Sequence, residues 1–311
     1  MCIEFNYKKF WITTITTAIS WSLVILNYII RTLCFIAINW IGYATYSDVL
    51  YRVTYITFFA QFFNTAFLLM LVYSDLSEQP VSLGFNRGGI PDFNMIFFRQ
   101  VGNQLVQTML FNALYPLIEF PIFWGLRELF RVFDRPCCSL DRFRTKKTSI
   151  NSYISIYVGP VYYMHFKYSA FLNICFVTMM FGFGIPLLFP VATLGFAILY
   201  VVENLMLYYS YQQPPLYDEK LDTSVLNFLK FAPLGFLAFG YWMVSSKQLL
   251  ANDVYHFEYS HETPKTGHLY NSPFTKEGWV QPAWPMLAMF FVLLLVVVLE
   301  RFHVFHRILS F

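Results

Sequence analysis

The side chains that could do chemistry in this sequence lie inside long apolar stretches, at steps of three and four residues. Between Phe97 and about Leu129 the polar positions are Gln104, Thr108, Asn112, Tyr115 and Glu119, and Gln107 lies beside them. At about 100° per residue, this spacing places the stripe on one narrow face of a helix. Because polar groups are unfavourable in hydrocarbon unless they face a partner or water, such a stripe indicates a hydrophilic path through a membrane.

Two earlier stretches carry the same kind of stripe. The second stretch has Thr54, Thr57, Gln61, Asn64 and Thr65, and the first has Thr13, Thr17, Ser20, Asn27 and Arg31. If the three helices face one another, the predicted pore-lining residues are Asn27, Arg31, Gln61, Asn64, Gln104, Gln107, Thr108, Asn112 and Glu119. The alternative is that these polar groups bond to neighbouring helices and only hold the bundle together.

Glu203, followed by Asn204, is a further ionisable residue near the centre of an apolar stretch. It has fewer polar neighbours in sequence than Glu119. A structural ion pair with Arg31 or with another buried cation is therefore as good an interpretation as a place in the pathway.

The elements that must position these residues are membrane-spanning helices. Of the 311 residues 57% are hydrophobic and only 13% are charged, which excludes a soluble globular protein, where about a quarter of residues carry charge. About 20 apolar residues in a helix cross a bilayer, and the sequence has about seven such runs. It predicts an all-α, polytopic membrane helix bundle in a single domain, with spans at about 10–41, 53–73, 97–129, 168–188, 190–211, 226–244 and 284–299.

The orientation follows from one basic segment. Between Arg127 and Asn151 there are seven basic and three acidic side chains. Since Lys and Arg concentrate on the cytoplasmic side, we predict a cytoplasmic loop over 127–167, an external N-terminus and a cytoplasmic C-terminus. Lys8 and Lys9, before the first span, favour the opposite orientation but are outnumbered. The membrane is the plasma membrane or that of an organelle.

Backbone and thiol positions suggest two further features. Gly102, Pro116 and Gly125 interrupt the third span, and proline within a helix removes a hydrogen bond, so these three are predicted hinge residues, with a static kink as the alternative. Cys137 and Cys138 are adjacent in the basic segment, where they are either palmitoylated or two free thiols.

Other functions find less support in the sequence. A net charge of +3 without a basic tail gives no indication of a nucleic-acid partner. The spans contain no paired acid and base, so we expect no enzyme and no cofactor. Histidines and glutamates between His256 and His268 lack a helical zinc motif, and we expect a solvated loop and no metal site.

Three stretches together resemble a known family. They are NALYPLIEFPIFWGLRELF, the basic FDRPCCSLDRFRTKKTS, and VGPVYYMHFKYSAFLNICFVTMMFGFGIPLLFPVATLGFAILYVVENLMLYYSYQQPPLYD. Their order resembles the seven-helix, pore-containing region of the OSCA family, which are osmosensitive, mechanically gated, calcium-permeable cation channels related in fold to anoctamins. The resemblance extends from about Phe10 to Leu249.

The resemblance implies a tension-gated cation pathway, through which some family members also move lipids. It places Glu119 near an acidic residue of the family's gating helix. The family's first helices and large cytoplasmic domain have no counterpart here. Either a second chain supplies them, or the sequence is part of a longer protein, or the function differs. The expected partners are the lipid bilayer, cations, and a second copy or second chain. The alternative function is a structural or assembly subunit of a larger membrane complex.

Overall fold

The computed structural model describes residues 2–43, 45–73, 97–134, 146–212, 219–245 and 284–301. Within these ranges the secondary structure is helical, with no strand. The helices are α1 (Cys2–Ile41), α2 (Tyr46–Phe62, continued by a π-helical segment Phe63–Phe67 and by Leu68–Tyr73), α3 (a π-helical segment Phe98–Gly102 followed by Asn103–Asp134), α4 (Ile150–Tyr157), α5 (Met164–Phe181), α6 (Leu188–Tyr209), α7 (Lys220–Leu229), α8 (Ala232–Ser245) and α9 (Trp284–Arg301).

Among the described residues, five segments are long and apolar enough to cross a membrane. They are Trp21–Ile41, Tyr46–Leu71, Phe98–Asp134, Leu188–Tyr209 and Lys220–Val244. The protein is therefore an integral membrane protein built from helices, as its composition predicts. The predicted spans 168–188 and 284–299 correspond to α5 and α9, which are not among these five segments. A count of seven crossings stays a prediction.

Several element boundaries differ from the prediction. Helix α3 continues to Asp134 and α5 begins at Met164, so both ends of the segment predicted as a loop over 127–167 are helical, and α4 lies inside it. The basic side chains at these ends do not stop a helix, because their long stems pack along it while the charges reach polar partners. The predicted span 226–244 is divided into α7 and α8 at Lys230, since Pro233 cannot donate the backbone hydrogen bond that would join the two helices.

Local chemistry sets the turn between α1 and α2. Gly42 has a φ of 68° directly after the end of α1, a conformation that glycine adopts without strain. Three residues further, Thr45 caps α2: its Oγ1 accepts a hydrogen bond from the Asp48 backbone N–H at 3.3 Å and donates to Asp48 Oδ2 at 2.6 Å. The two helices can therefore reverse direction within a few residues and pack side by side.

The bundle is organised around α3 and α5. Helix α3 packs against α1 and α6, and α5 packs against α2, α6 and α8, while α9 packs on α8. The main apolar core contains Leu105 and Met109 from α3, Val177 and Phe181 from α5, and Met243 from α8. A second cluster, formed chiefly by Phe58, Leu172, Leu221 and Val225, joins α2, α5 and α7. The two cores leave a region between α1, α2, α3, α5 and α6 that contains polar side chains.

Helices α3 and α6 pack closely against each other at Gly195. A Cβ atom added there would lie 2.9 Å from Ala113 Cβ and 3.3 Å from Ala113 Cα. Small residues that permit such an approach are the usual basis of helix packing in membranes, where lipid is as apolar as the helices themselves. Gly195 thus sets the spacing of the two helices that carry Glu119 and Glu203.

We expect Gly195→Leu to separate α3 from α6 and to lower stability by about 1–3 kcal/mol, the usual range for overpacking. The melting temperature of the purified protein in detergent measures the change. Gly235→Leu is the matched control, because a Cβ at Gly235 meets nothing within 4 Å. Equal melting temperatures for the two variants would contradict the assigned packing.

Candidate functional site

A polar cavity of about 50 Å³ lies between α1, α2, α3, α5 and α6. Since a water molecule occupies roughly 30 Å³ in the liquid, this volume suits one or two waters or small ions. The cavity wall consists of Asn27, Tyr28, Arg31, Gln61, Asn112, Tyr115, Pro116, Glu119, Phe166, Lys167, Ala170, Asn173, Ile174, Gly195 and Leu199. Each of the five helices contributes at least one of these residues.

The structure brings together only part of the predicted lining. Five of the nine predicted residues lie on the cavity wall: Asn27, Arg31, Gln61, Asn112 and Glu119. The other four, Asn64, Gln104, Gln107 and Thr108, are not wall residues. All five stripe residues of α2 are buried, as its spacing predicts. The nine positions therefore divide into two groups with different surroundings.

The four residues that are not on the wall make other contacts. Asn64 Nδ2 donates to Asn27 Oδ1 at 2.8 Å, and Asn27 Nδ2 donates to Thr65 Oγ1 at 3.2 Å, so α1 and α2 are joined by an amide chain. Thr108 Oγ1 donates to the Gln104 backbone carbonyl at 2.9 Å, within its own helix. Gln107 is half-buried and also makes a contact. Asn64 thus bonds to a neighbouring helix, as the alternative interpretation expects, whereas the Thr108 bond lies within α3.

Three charged side chains form an ion triad at the cavity. Lys167 Nζ on α5 lies 3.0 Å from Glu119 Oε2 on α3 and 2.6 Å from Glu203 Oε1 on α6. The side chains are 15%, 15% and 12% exposed, so all three charges are held largely away from solvent. Glu203 is paired with a buried cation, the second of the two partners considered for it, and that cation is Lys167.

Sequence reasoning missed Lys167 because it placed this residue at the end of the basic loop. The helix begins at Met164, which puts Lys167 one turn inside α5. The signal was present as spacing, since Lys167, Ala170 and Ile174 recur at helical steps and all three lie on the cavity wall. A predicted start of α5 before Lys167 would have placed this cation on the same helix face as Ala170 and Ile174.

The chain segments beside the triad are tied to one another. Gln212 Nε2 donates to the Gly159 carbonyl at 2.7 Å, and the Gln212 backbone N–H donates to the Pro160 carbonyl at 3.1 Å. A Cβ at Gly159 would overlap the Ser210 carbonyl oxygen, so this crossing requires glycine. These contacts fix the approach to α5 against the end of α6 and so hold Lys167 opposite Glu203.

Arg31 is surrounded by aromatic rings. Its guanidinium carbon lies 6.0 Å from the ring centroids of Tyr28 and Tyr115 and 5.4 Å from that of Phe166. The first two distances are at the limit of a cation–π contact and the third is within it. Arg31 thus faces the same cavity as the triad without belonging to it.

The predicted hinge and lipidation residues have different surroundings. Gly102 is buried at the end of the π-helical segment Phe98–Gly102, Pro116 lies on the cavity wall, and a Cβ at Gly125 would meet nothing within 4 Å. The helix runs through Pro116 without interruption. Cys137, Cys138 and the histidines of the 256–268 stretch lie outside the described residues.

Comparison of the chain with protein-family models, with curated proteins and with solved structures finds no match in any of the three.

We expect Lys167→Met to destabilise the protein by about 3–5 kcal/mol, because it leaves two buried carboxylates without their cation. Adding Glu119→Gln and Glu203→Gln to that variant removes the uncompensated charge and should recover most of the loss. Thermal unfolding in detergent, measured for the single and the triple variant, tests both statements.

The control is the exposed ion pair between Lys230 and Glu300. Its side chains are 43% and 51% exposed, so Lys230→Met should cost under about 1 kcal/mol. A Lys167→Met loss no larger than this, or a triple variant as unstable as the single one, would show that the triad charges are not buried together.

Proposed function

We propose that the protein is a membrane channel of the mechanosensitive or osmosensitive, cation-permeable type, whose pathway passes through the polar cavity. The observation that carries the proposal is the convergence of polar side chains from five helices on one cavity within an apolar bundle. Structural hydrogen bonding alone would join helices in pairs, as Asn27 and Asn64 do. A polar space shared by five helices is more typical of a conduction path.

Oxygen atoms on and beside the wall, not the net charge of the wall, support cations as the conducted species, since the charged wall residues are Arg31, Glu119 and Lys167. The ion triad has two carboxylates and one ammonium, and the amide groups of Asn27, Gln61 and Asn112 supply oxygen atoms beside it. Oxygen ligands of this kind replace part of the hydration shell of a hard cation. A lipid-scrambling groove along the same wall is part of the proposal and requires the opened state, because a cavity of about 50 Å³ is too small for a lipid headgroup.

Gating by bilayer tension is supported by two irregular helices. Both α2 and α3 contain a π-helical segment, a feature often found at functional sites, and α3 also contains Pro116 and Pro121. A change in bilayer thickness alters the favoured tilt of long helices. In the proposed mechanism, α3 rearranges about Gly102 or Pro116, and this opens the cavity along the stripe that continues to Gln104.

The proposed topology has seven crossings. Helices α5 and α9 cross in addition to the five long apolar segments, with the N-terminus outside and the basic end of α3 in the cytoplasm. In that orientation Arg31, Glu119, Lys167 and Glu203 all lie in the cytoplasmic half of the bundle. The resemblance to the OSCA family is compatible with this arrangement, with a second copy or a second chain beside it.

One observation favours the second candidate, an assembly subunit of a larger complex. The N-terminal half of α1 exposes large aromatic side chains, among them Tyr7, Phe10 and Trp11. A partner chain that covers this surface would fit a structural role. Purification in mild detergent distinguishes the two, because a partner that contacts the polar residues and closes the cavity would replace the channel proposal.

We expect Gln61→Leu and Asn112→Leu to reduce single-channel conductance several-fold, because each puts an apolar side chain on the cavity wall. The measurement is current under suction in liposomes that contain the purified protein. Thr193→Leu is the control: Thr193 is exposed on α6 and bonds only to the Phe189 carbonyl of its own helix, at 2.9 Å. No current under suction, or equal conductance in all variants, would remove the assigned pathway.

The topology predicts opposite labelling of two introduced cysteines. In a variant whose five cysteines are alanine, Ser149→Cys, at an exposed position directly before α4, should react with an impermeant maleimide only from the cytoplasmic side. Leu187→Cys, in the exposed turn between α5 and α6, should react from outside. Labelling of both positions from one side would contradict a crossing by α5.

A further inference from the structure

Arg31 lies inside a candidate membrane span, and its charged side chain has no counter-ion in the described part of the chain. The described carboxylates nearest the cavity, Glu119 and Glu203, are both within 3.0 Å of Lys167. No described carboxylate lies within 4 Å of the Arg31 guanidinium, which contacts aromatic rings. A cation at this depth is unfavourable unless an anion or water compensates it.

Two hydrogen-bond donors on the cavity wall are without acceptors. Arg31 Nε and Asn112 Nδ2 are both shielded from solvent, and neither has a hydrogen-bond partner within the described ranges. Both residues lie on the wall of the same cavity, although they come from different helices. Buried donors of this kind are rare, because an unsatisfied donor costs about 1–3 kcal/mol.

We propose that Arg31 and Asn112 bind a small inorganic anion, of the size and charge of chloride, in this cavity. A charged donor, a neutral amide donor and a volume of about 50 Å³ suit a monovalent ion and exclude a bulky organic acid. The negative charge of Glu119 on the same wall is compensated by Lys167 at 3.0 Å, so the anion does not face a bare carboxylate.

An acceptor atom on the wall also bears on the site. It is Asn173 Oδ1, which has no hydrogen-bond partner among the described residues. An acceptor cannot bind an anion directly, but it can accept from a water molecule that donates its other hydrogen to the ion. The site is therefore one anion with one or more bridging waters, and it needs no charge beyond that of Arg31.

The inference does not depend on the channel proposal, although it has a consequence for it. A cation passing an uncompensated Arg31 would be repelled, whereas a bound anion would make that part of the wall neutral. Binding is measured on purified protein without any membrane current, so a failure of one idea leaves the other testable.

The test compares purified protein in sodium chloride and in sodium gluconate at equal ionic strength. Tryptophan fluorescence gives the melting temperature, and equilibrium dialysis against radioactive chloride gives the stoichiometry. We expect a saturable rise of a few degrees in chloride, because a ligand that binds the folded state stabilises it, and one chloride bound per chain. The same melting temperature in both salts, with no bound chloride, would overturn the proposal.

The variants separate the site from general salt effects. Arg31→Gln should lose the chloride response, and Asn112→Leu, which keeps Arg31, should weaken chloride binding by about tenfold or more. Arg52→Gln is the matched control, since Arg52 is exposed and lies 4.5 Å from the Tyr43 ring centroid. If Arg31→Gln does not fold, the Asn112→Leu result decides. An undiminished response in the folded variants would place the anion elsewhere.

Discussion

The arrangement of the bundle depends on compensation of charge away from solvent. Lys167 holds two carboxylates from two other helices, so α3, α5 and α6 can meet only where these three groups meet. In an apolar environment, each of these charges alone would be strongly unfavourable. The close approach at Gly195 and the backbone crossing at Gly159 bring the same helices together by shape. Steric fit and charge thus specify one arrangement, and the polar cavity is the space left beside it.

The polar residues of the bundle have two roles that sequence alone does not separate. Asn27, Asn64 and Thr65 satisfy one another and join α1 to α2, which is the usual work of amides between membrane helices. Arg31, one turn after Asn27 on α1, and Asn112 on α3 retain donors that no described group accepts. Residues of the same type and spacing therefore join helices at some positions of the bundle and leave unpaired donors at the cavity at others.

Much of the fold follows from hydropathy, and the site follows in part. Apolar runs and helical periodicity predict the helices and the buried face of α2, because both depend on residues near in sequence. Charge is less informative: the basic residues from Arg127 to Lys167 predict a loop, whereas Arg127 lies within α3 and Lys167 within α5. The pairing of Lys167 with Glu119 and Glu203 joins positions far apart in the chain, so no local pattern could give it.

The π-helical segment Phe63–Phe67 changes which directions α2 can face. A π turn holds about one residue more than an α turn, so residues after it are rotated by roughly 100° relative to an unbroken helix. One helix can therefore contact two different surroundings. Gln61 precedes the segment and lies on the cavity wall, whereas Asn64 and Thr65 lie within the segment and bond to α1. If the segment converted to regular α-helix, all polar residues of α2 would lie on one face. Asn64 and Thr65 would then leave α1 and extend the row of polar residues that lines the cavity.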